Sequence, residues 1–197
     1  MLAGMPAGAL APFTALISLN LSQSCLTQWP LPVQPGRMHQ LQELILSRNR
    51  DLRSMPPPAL CALPGLRTLN LSGTPAGAAL LCPGSLAFAS ALTLLDLSNT
   101  GLAGFPPDVA RLRALRTLNL SGNKIVAVPD EVGHSCQSLE ELDLSNNELA
   151  TLSPYLGQLT QLRSLSLDGN PLRTMRRAVL DKGTLAVLEY LRERCPL

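Results

Sequence analysis

The chain has 197 residues, a formal net charge of +2, and 46% hydrophobic but only 3% aromatic residues. Near-neutrality without a basic stripe argues against a nucleic-acid binder. The shortage of rings leaves aliphatic side chains, 44 leucines among them, to build the core.

Residues 1–36 carry no charge at all. The stretch from Ala9 to Leu21 is apolar enough for the core of a signal peptide. No basic residue precedes it, however, and Leu10, Phe13, Leu16, Leu19 and Leu21 stand in the register of a leucine repeat that runs on to Leu162, so it reads as structure. Residues 1–15 fit the back half of a repeat whose strand is missing. The chain reads as starting mid-repeat, as a fragment does, with an unpaired first edge open to fraying or self-association.

From Leu16 a Leu-x-x-Leu-x-Leu core returns at Leu41, Leu66, Leu92, Leu115, Leu139 and Leu162. A period of this length predicts a stacked solenoid of seven repeats over residues 16–175. The fourth and sixth residues of each core lie two apart and point to one face of a short strand. Seven such strands form a parallel sheet on the inner wall of an arc. The ninth position is Asn49, Asn123, Asn147 and Asn170 in four repeats, and Ser24, Thr74 and Thr100 in the others. A buried amide there pairs backbone groups left by the turn, and the smaller hydroxyls predict a looser ladder.

The returning halves, such as Phe105–Leu112, Val128–Val132 and Leu152–Leu159, place apolar residues three apart behind a Pro, as short helices or 3-10 turns do. The segment Gly73–Ser90 is irregular. The uncharged run Ala76–Leu95 reaches membrane-spanning length, but Pro83, Gly84, Ser85 and Ser90 break it, and Leu92 and Leu95 belong to a repeat, so no span is expected. Residues 176–197 form a helical cap. Thr184 is expected as N-cap, and Leu185, Leu188 and Leu191 as the stripe covering the last repeat. Six Lys/Arg against three Asp/Glu in residues 171–197 read as its solvated face.

No catalytic constellation survives inspection. His39 and His134 lack metal-ligand spacing to Cys, Asp or Glu. Cys136 is near His134 only in sequence. Glu140, Glu141 and Asp143 sit on an open strand, whereas a hydrolase sets its carboxylates across a cleft. The Ser-Gly-Asn and Asp-Gly-Asn triplets are repeat turns and not phosphate loops. The expectation is therefore no enzyme, no cofactor and no metal. Cys25, Cys61, Cys82, Cys136 and Cys195 are odd in number and widely spaced, which favours free thiols in a reducing compartment. Asn20, Asn70 and Asn119 each open an Asn-Leu-Ser motif that permits glycosylation only in an exported protein.

These features resemble the leucine-rich repeat family, written Leu-x-x-Leu-x-Leu-x-x-Asn-x-Leu-x-x-Leu-Pro, across about residues 5–175. The short Leu-Pro form and the closing run Asp168–Arg177, Lys182–Thr184 and Leu188–Arg192 are similar to intracellular scaffold members. The resemblance implies an α/β solenoid with a curved parallel inner sheet, short helices or 3-10 turns outside and a C-terminal capping helix. It further implies a cytoplasmic, non-enzymatic protein-binding module or signalling scaffold. The partner surface is then the concave sheet, with Asn20, Glu43, Asn70, Asp96, Asn119, Glu141, Asp143, Ser166 and Asp168 on it. Arg48, Arg67, Arg116 and Arg163 stand at its margin, ready to pair with carboxylates. The partner is an unidentified protein, and the chain is expected as a monomer apart from association at its first edge. Two other readings stay open: a receptor ectodomain fragment, or the recognition arm of a larger enzyme such as a ligase or kinase.

Overall fold

The computed structural model describes residues 9–56, 59–87 and 89–195. Seven three-residue strands occupy the third to fifth positions of the seven repeats: β1 Ser18–Asn20, β2 Glu43–Ile45, β3 Thr68–Asn70, β4 Leu94–Asp96, β5 Thr117–Asn119, β6 Glu141–Asp143 and β7 Ser164–Ser166. They form one parallel sheet in sequence order. Leu19, Leu44, Leu69, Leu95, Leu118, Leu142 and Leu165 are aligned as neighbours across it. Each middle leucine points inward because its flanking residues point out, and from Leu44 to Leu118 these leucines are fully buried.

The chain returns along the outer wall in 3-10 turns at Ala59–Ala62, Pro75–Leu81, Pro107–Arg111 and Pro154–Gln158, and in helix α1, Asp130–Ser135. Pro75, Pro107 and Pro154 stand in the first turn, where a missing N–H costs nothing. Leu60, Leu80, Val109, Val132 and Leu156 complete the core from this side. The irregular segment is tied to the following repeat by the buried carboxylate of Asp108, which accepts from Leu86 N–H at 3.1 Å. Asp130 likewise accepts from the Ser153 hydroxyl at 2.6 Å.

The ninth-position asparagines stitch one coil to the next. Asn49 donates to Leu21 O and Leu46 O and accepts from the N–H of Ser24 and Leu26. Asn123, Asn147 and Asn170 each donate both to carbonyls of their own turn and to one in the coil before. Thr74 reaches Leu46 O in the preceding coil, but Thr100 bonds to Leu97 O of its own coil and Asn123 Oδ1 of the next, and not to the coil before. The side-chain ladder is therefore interrupted between the third and fourth coils. The Thr100 methyl instead packs where Gly77 leaves room: a Cβ on that glycine would lie 2.7 Å from it.

A second column runs one position earlier. Gln23, Arg48, Gly73, Asn99, Gly122, Asn146 and Gly169 all have positive φ, between 53° and 73°. The turn demands left-handed backbone, which Gly and Asn adopt at least cost. From Arg48 onward a side chain alternates with glycine. A Cβ on Gly122 would lie 2.3 Å from Asn99 Oδ1, and one on Gly169 would lie 2.4 Å from Asn146 Oδ1, so each asparagine uses the space its neighbour leaves.

The cap comprises α2, Arg177–Leu180, and α3, Thr184–Arg192. It corrects two expectations. Gly183, at φ 85°, holds the N-cap position, and the Thr184 hydroxyl accepts from Leu165 N–H of β7 at 3.0 Å instead of capping its own helix. Leu185 is 77% exposed, while Val187, Leu188 and Leu191 are buried. At 3.6 residues per turn Val187 and Leu191 share a face, and Leu185, two residues before Val187, is turned nearly to the opposite side. The outer half of the last coil receives α3 closely: a Cβ on Gly157 would meet Arg192 N at 2.5 Å.

At the other end, residues 1–8 of the expected partial repeat lie outside the described residues. Leu10 packs on the core half-buried, as do Leu16 and Leu19, whereas Phe13, expected in register, is 55% exposed. No strand lies beyond β1 among the described residues to cover it.

Candidate functional site

The inner wall is built from the outward positions of β1–β7 and the second residue after each strand. Five carboxylates stand on these positions: Glu43, Asp96, Glu141, Asp143 and Asp168. No Lys or Arg stands there. The remainder are small and polar, apart from Ile45 and Leu94.

Much of this polarity is already engaged. Asn20, Asn70, Asp96, Asn119 and Asp143 each accept the backbone N–H two residues on, from Ser22, Ser72, Ser98, Ser121 and Ser145, at 2.9 to 3.0 Å. Asn or Asp at the fifth position thus closes an Asx turn that ends the strand. The recurrence of Asn/Asp with Ser two residues later was the sequence signal for this local role. Cross-strand bonds add to it. Ser18 donates to Glu43 at 2.5 Å, Asn70 to Asp96 at 3.3 Å, and Thr117 to Glu141 at 3.5 Å.

Several expected site residues change standing. Ser98, on the wall beside Asp96, is buried at 7%. Arg116 pairs with Glu140 of the next coil at 2.6 Å, so its fork is turned to the margin of its own sheet. Arg48 occupies the left-handed turn column and packs beside Gly73. Arg67 and Arg163 are exposed at the margin without an ion-pair partner among the described residues. Ser166 and Asp168 lie at the last strand, away from Asn20 and Glu43 at the first, so the residues form a long surface and not one focus. Glu141 and Asp143 do come together, lining a shallow depression of about 210 Å³ with Thr117, Asn119, Ser164 and Ser166.

The suspected chemical groups lie apart from this wall. Cys136 is fully buried, its Sγ donates to Val109 O at 3.5 Å, and burial pushes its thiol up to about 11. A thiol held neutral there is no nucleophile at ordinary pH. His134 is exposed on the outer wall with its ring against Tyr155, centroids 4.5 Å apart. Among the described residues no group of three or more His, Cys, Asp and Glu could hold a metal ion, and no helix is long and apolar enough to cross a membrane.

A solved structure of a leucine-rich repeat protein from Leptospira interrogans superposes on 95% of the chain with a TM-score of 0.72 and 26% identity, covering 50% of that protein. The chain has the leucine-rich repeat solenoid fold. Residues 113–172 match the family model described as leucine rich repeat. An internalin C2 from Listeria monocytogenes shares the leucine-rich repeat fold, with a TM-score of 0.66 and 24% identity over 78% of this chain and 62% of that one. Podocan-like protein 1 from Mus musculus is 38% identical over 95 residues, which are 48% of this chain and 16% of that protein. The leucine-rich repeat chain thus spans half of the Leptospira relative, and its match covers about a sixth of the murine one. Leucine-rich repeat domains in general mediate protein–protein contact and are in general non-enzymatic, in keeping with an open wall that encloses no substrate.

Proposed function

We propose that the chain is a non-enzymatic interaction module that receives a basic, extended segment of a partner protein along its concave sheet, as a monomeric scaffold in cytosolic signalling. One observation carries the reading: the outward strand positions and the second residue after each strand hold five carboxylates and no cation. Such a field steers and selects a basic partner more than it adds raw affinity. The depression between Glu141 and Asp143 suits one Lys or Arg side chain of that partner, with Ser164 and Ser166 as polar neighbours. The absence of large aromatic anchors on the wall favours a hydrogen-bonded, salt-sensitive contact. Cytosolic residence is supported by five cysteines that are all free, two of them exposed. The segments Asp168–Arg177, Lys182–Thr184 and Leu188–Arg192 also resemble leucine-rich repeat-containing protein 40, which supports a place among intracellular scaffolds.

The test is capture of a partner from cells by proximity labelling, then titration with purified protein. Reversing both charges, Glu141→Lys with Asp143→Lys, is expected to weaken binding by about tenfold or more while the melting curve stays in place. Unchanged affinity for that partner overturns the concave-face reading. Thiol counting on native material tests the compartment: five reactive equivalents after unfolding support it, and fewer contradict it.

A further inference from the structure

The last coil ends on an edge that the cap leaves half open. In every earlier repeat two backbone donors reach the next coil. Leu21 and Gln23 donate to Ile45 O and Ser47 O, and the pattern repeats down to Leu144 and Asn146, which donate to Ser166 O and Asp168 O. The corresponding donors of the seventh repeat, Leu167 and Gly169, have no partner among the described residues. A third donor on the same edge, Leu165 N–H, is satisfied by Thr184 Oγ1. The cap therefore closes the first of three donors spaced two residues apart and stops.

The reason is geometric. α3 is seated on the outer half of the coil, held by the close approach to Gly157 and by Arg192 Nε donating to Gly157 O. The strand half stays uncovered. A cavity of about 480 Å³ opens there between β7 and the cap. Leu165, Leu167, Leu172, Met175, Leu180 and Val187 form its apolar walls, and Leu165 is only half-buried although its equivalents in β2–β5 are fully so. Asp168, Asp181 and Arg177 stand at its polar margin and leave it one net negative charge, while the walls themselves are aliphatic.

We propose that this cavity is a second binding site, taking an extended, uncharged, aliphatic peptide segment of a partner protein as an eighth parallel strand. Extended backbone offers carbonyls at the same two-residue spacing as the Leu167 and Gly169 donors, and strand addition gains its affinity from such pairing. An aliphatic side chain pointing inward continues the leucine column over Leu165 and Leu167. Aliphatic walls and paired backbone donors set this ligand apart from the basic segment assigned to the concave wall, and Leu180, which lies off that wall, lets the two sites fail independently.

The probe is a terminally blocked, uncharged synthetic peptide of residues 68–74, Thr-Leu-Asn-Leu-Ser-Gly-Thr, whose sequence contains strand β3 of this solenoid. It is titrated into the isotope-labelled full chain and monitored by amide shifts. The expected result is movement and slowed exchange at Leu167 and Gly169, with shifts limited to the groove. Leu180→Arg, at a half-buried wall position, is expected to weaken the effect about tenfold or more with an unchanged fold by circular dichroism. If that variant unfolds, Asp181→Lys provides the second variant and is expected to leave aliphatic-peptide binding within about twofold. Shifts at Ser18–Ser22 instead, which place the peptide on the β1 edge, overturn the proposal. So does the absence of any change at Leu167 and Gly169, or equal binding by a folded Leu180→Arg protein.

Discussion

Repeats five to seven and repeats one to four share one leucine spacing and one strand register, yet they are finished differently. In the later coils every turn carries an asparagine bonded on both faces, left-handed positions alternate Gly with Asn, and α3 seats on the outer wall. In the earlier coils only Asn49 does the same work. Gln23, Cys25 and Arg48 hold positive φ without being glycine, Thr100 does not reach back, Leu16 and Leu19 are half-buried, and the buried Trp29 indole N–H lacks a partner among the described residues. The leucines thus define the coil, while turn residues and ends decide how firmly it is held. Local stability is expected to rise from the first coil toward the sixth.

The largest contrast lies in the core itself. Leu142→Ala, at a buried position, is expected to cost about 2–5 kcal/mol, while Leu19→Ala, at the equivalent half-buried position, costs less than about 1.5 kcal/mol. Urea unfolding of both variants measures this, and equal costs erase the distinction between the two ends. Next in size is the ladder. Asn147→Ala leaves Ile125 N–H without its acceptor and takes one of two amide donors from each of Leu120 O and Leu144 O, for an expected loss of about 1–3 kcal/mol. Thr100→Ala removes the bond to Leu97 O and the longer one to Asn123 Oδ1, whose amide keeps its other partners, and should cost about 1 kcal/mol.

The cysteines sharpen the contrast through pH. Cys136 has its thiol raised from 9.0 to about 11 by burial. Its neutral form is the one the fold accepts, so the contribution is complete below pH 9.0 and is lost as pH rises through about 11. The loss, by comparison with Cys136→Ala, is about 2–3 kcal/mol at a two-unit displacement. In native protein the exposed Cys25 and Cys82 should alkylate while Cys136 reacts only on unfolding. Mass spectrometry of the labelled protein reads this directly. The smallest effect is a gain: Arg48→Gly relieves a left-handed non-glycine residue and should add about 1 kcal/mol, whereas Gly73→Arg in the adjacent coil should subtract at least as much.

The strands were legible from the leucines because one buried face repeated in phase leaves no other register. Asn49, Asn123, Asn147 and Asn170 were legible for the same reason: their period coincides with that of the core. What stayed hidden depends on geometry at a single place. Leu185 and Val187 are both apolar, and only the seat of α3 on Gly157 decides which is buried. Arg116 looks free in sequence because its partner Glu140 lies a whole coil away. Asp96, Asp143 and Asn119 read equally well as partner ligands and as turn formers, and the structure gives each at least the second role.

Native-state hydrogen exchange by NMR tests the stack and its unequal ends together. The donors of the inner coils, Leu46, Leu71, Leu97, Leu120 and Leu144, are predicted to be the slowest amides of the chain, with Leu21 faster and Leu167 and Gly169 exchanging nearly freely. Uniform protection from the first coil to the last, or fast exchange at Leu120 and Leu144, would contradict the account.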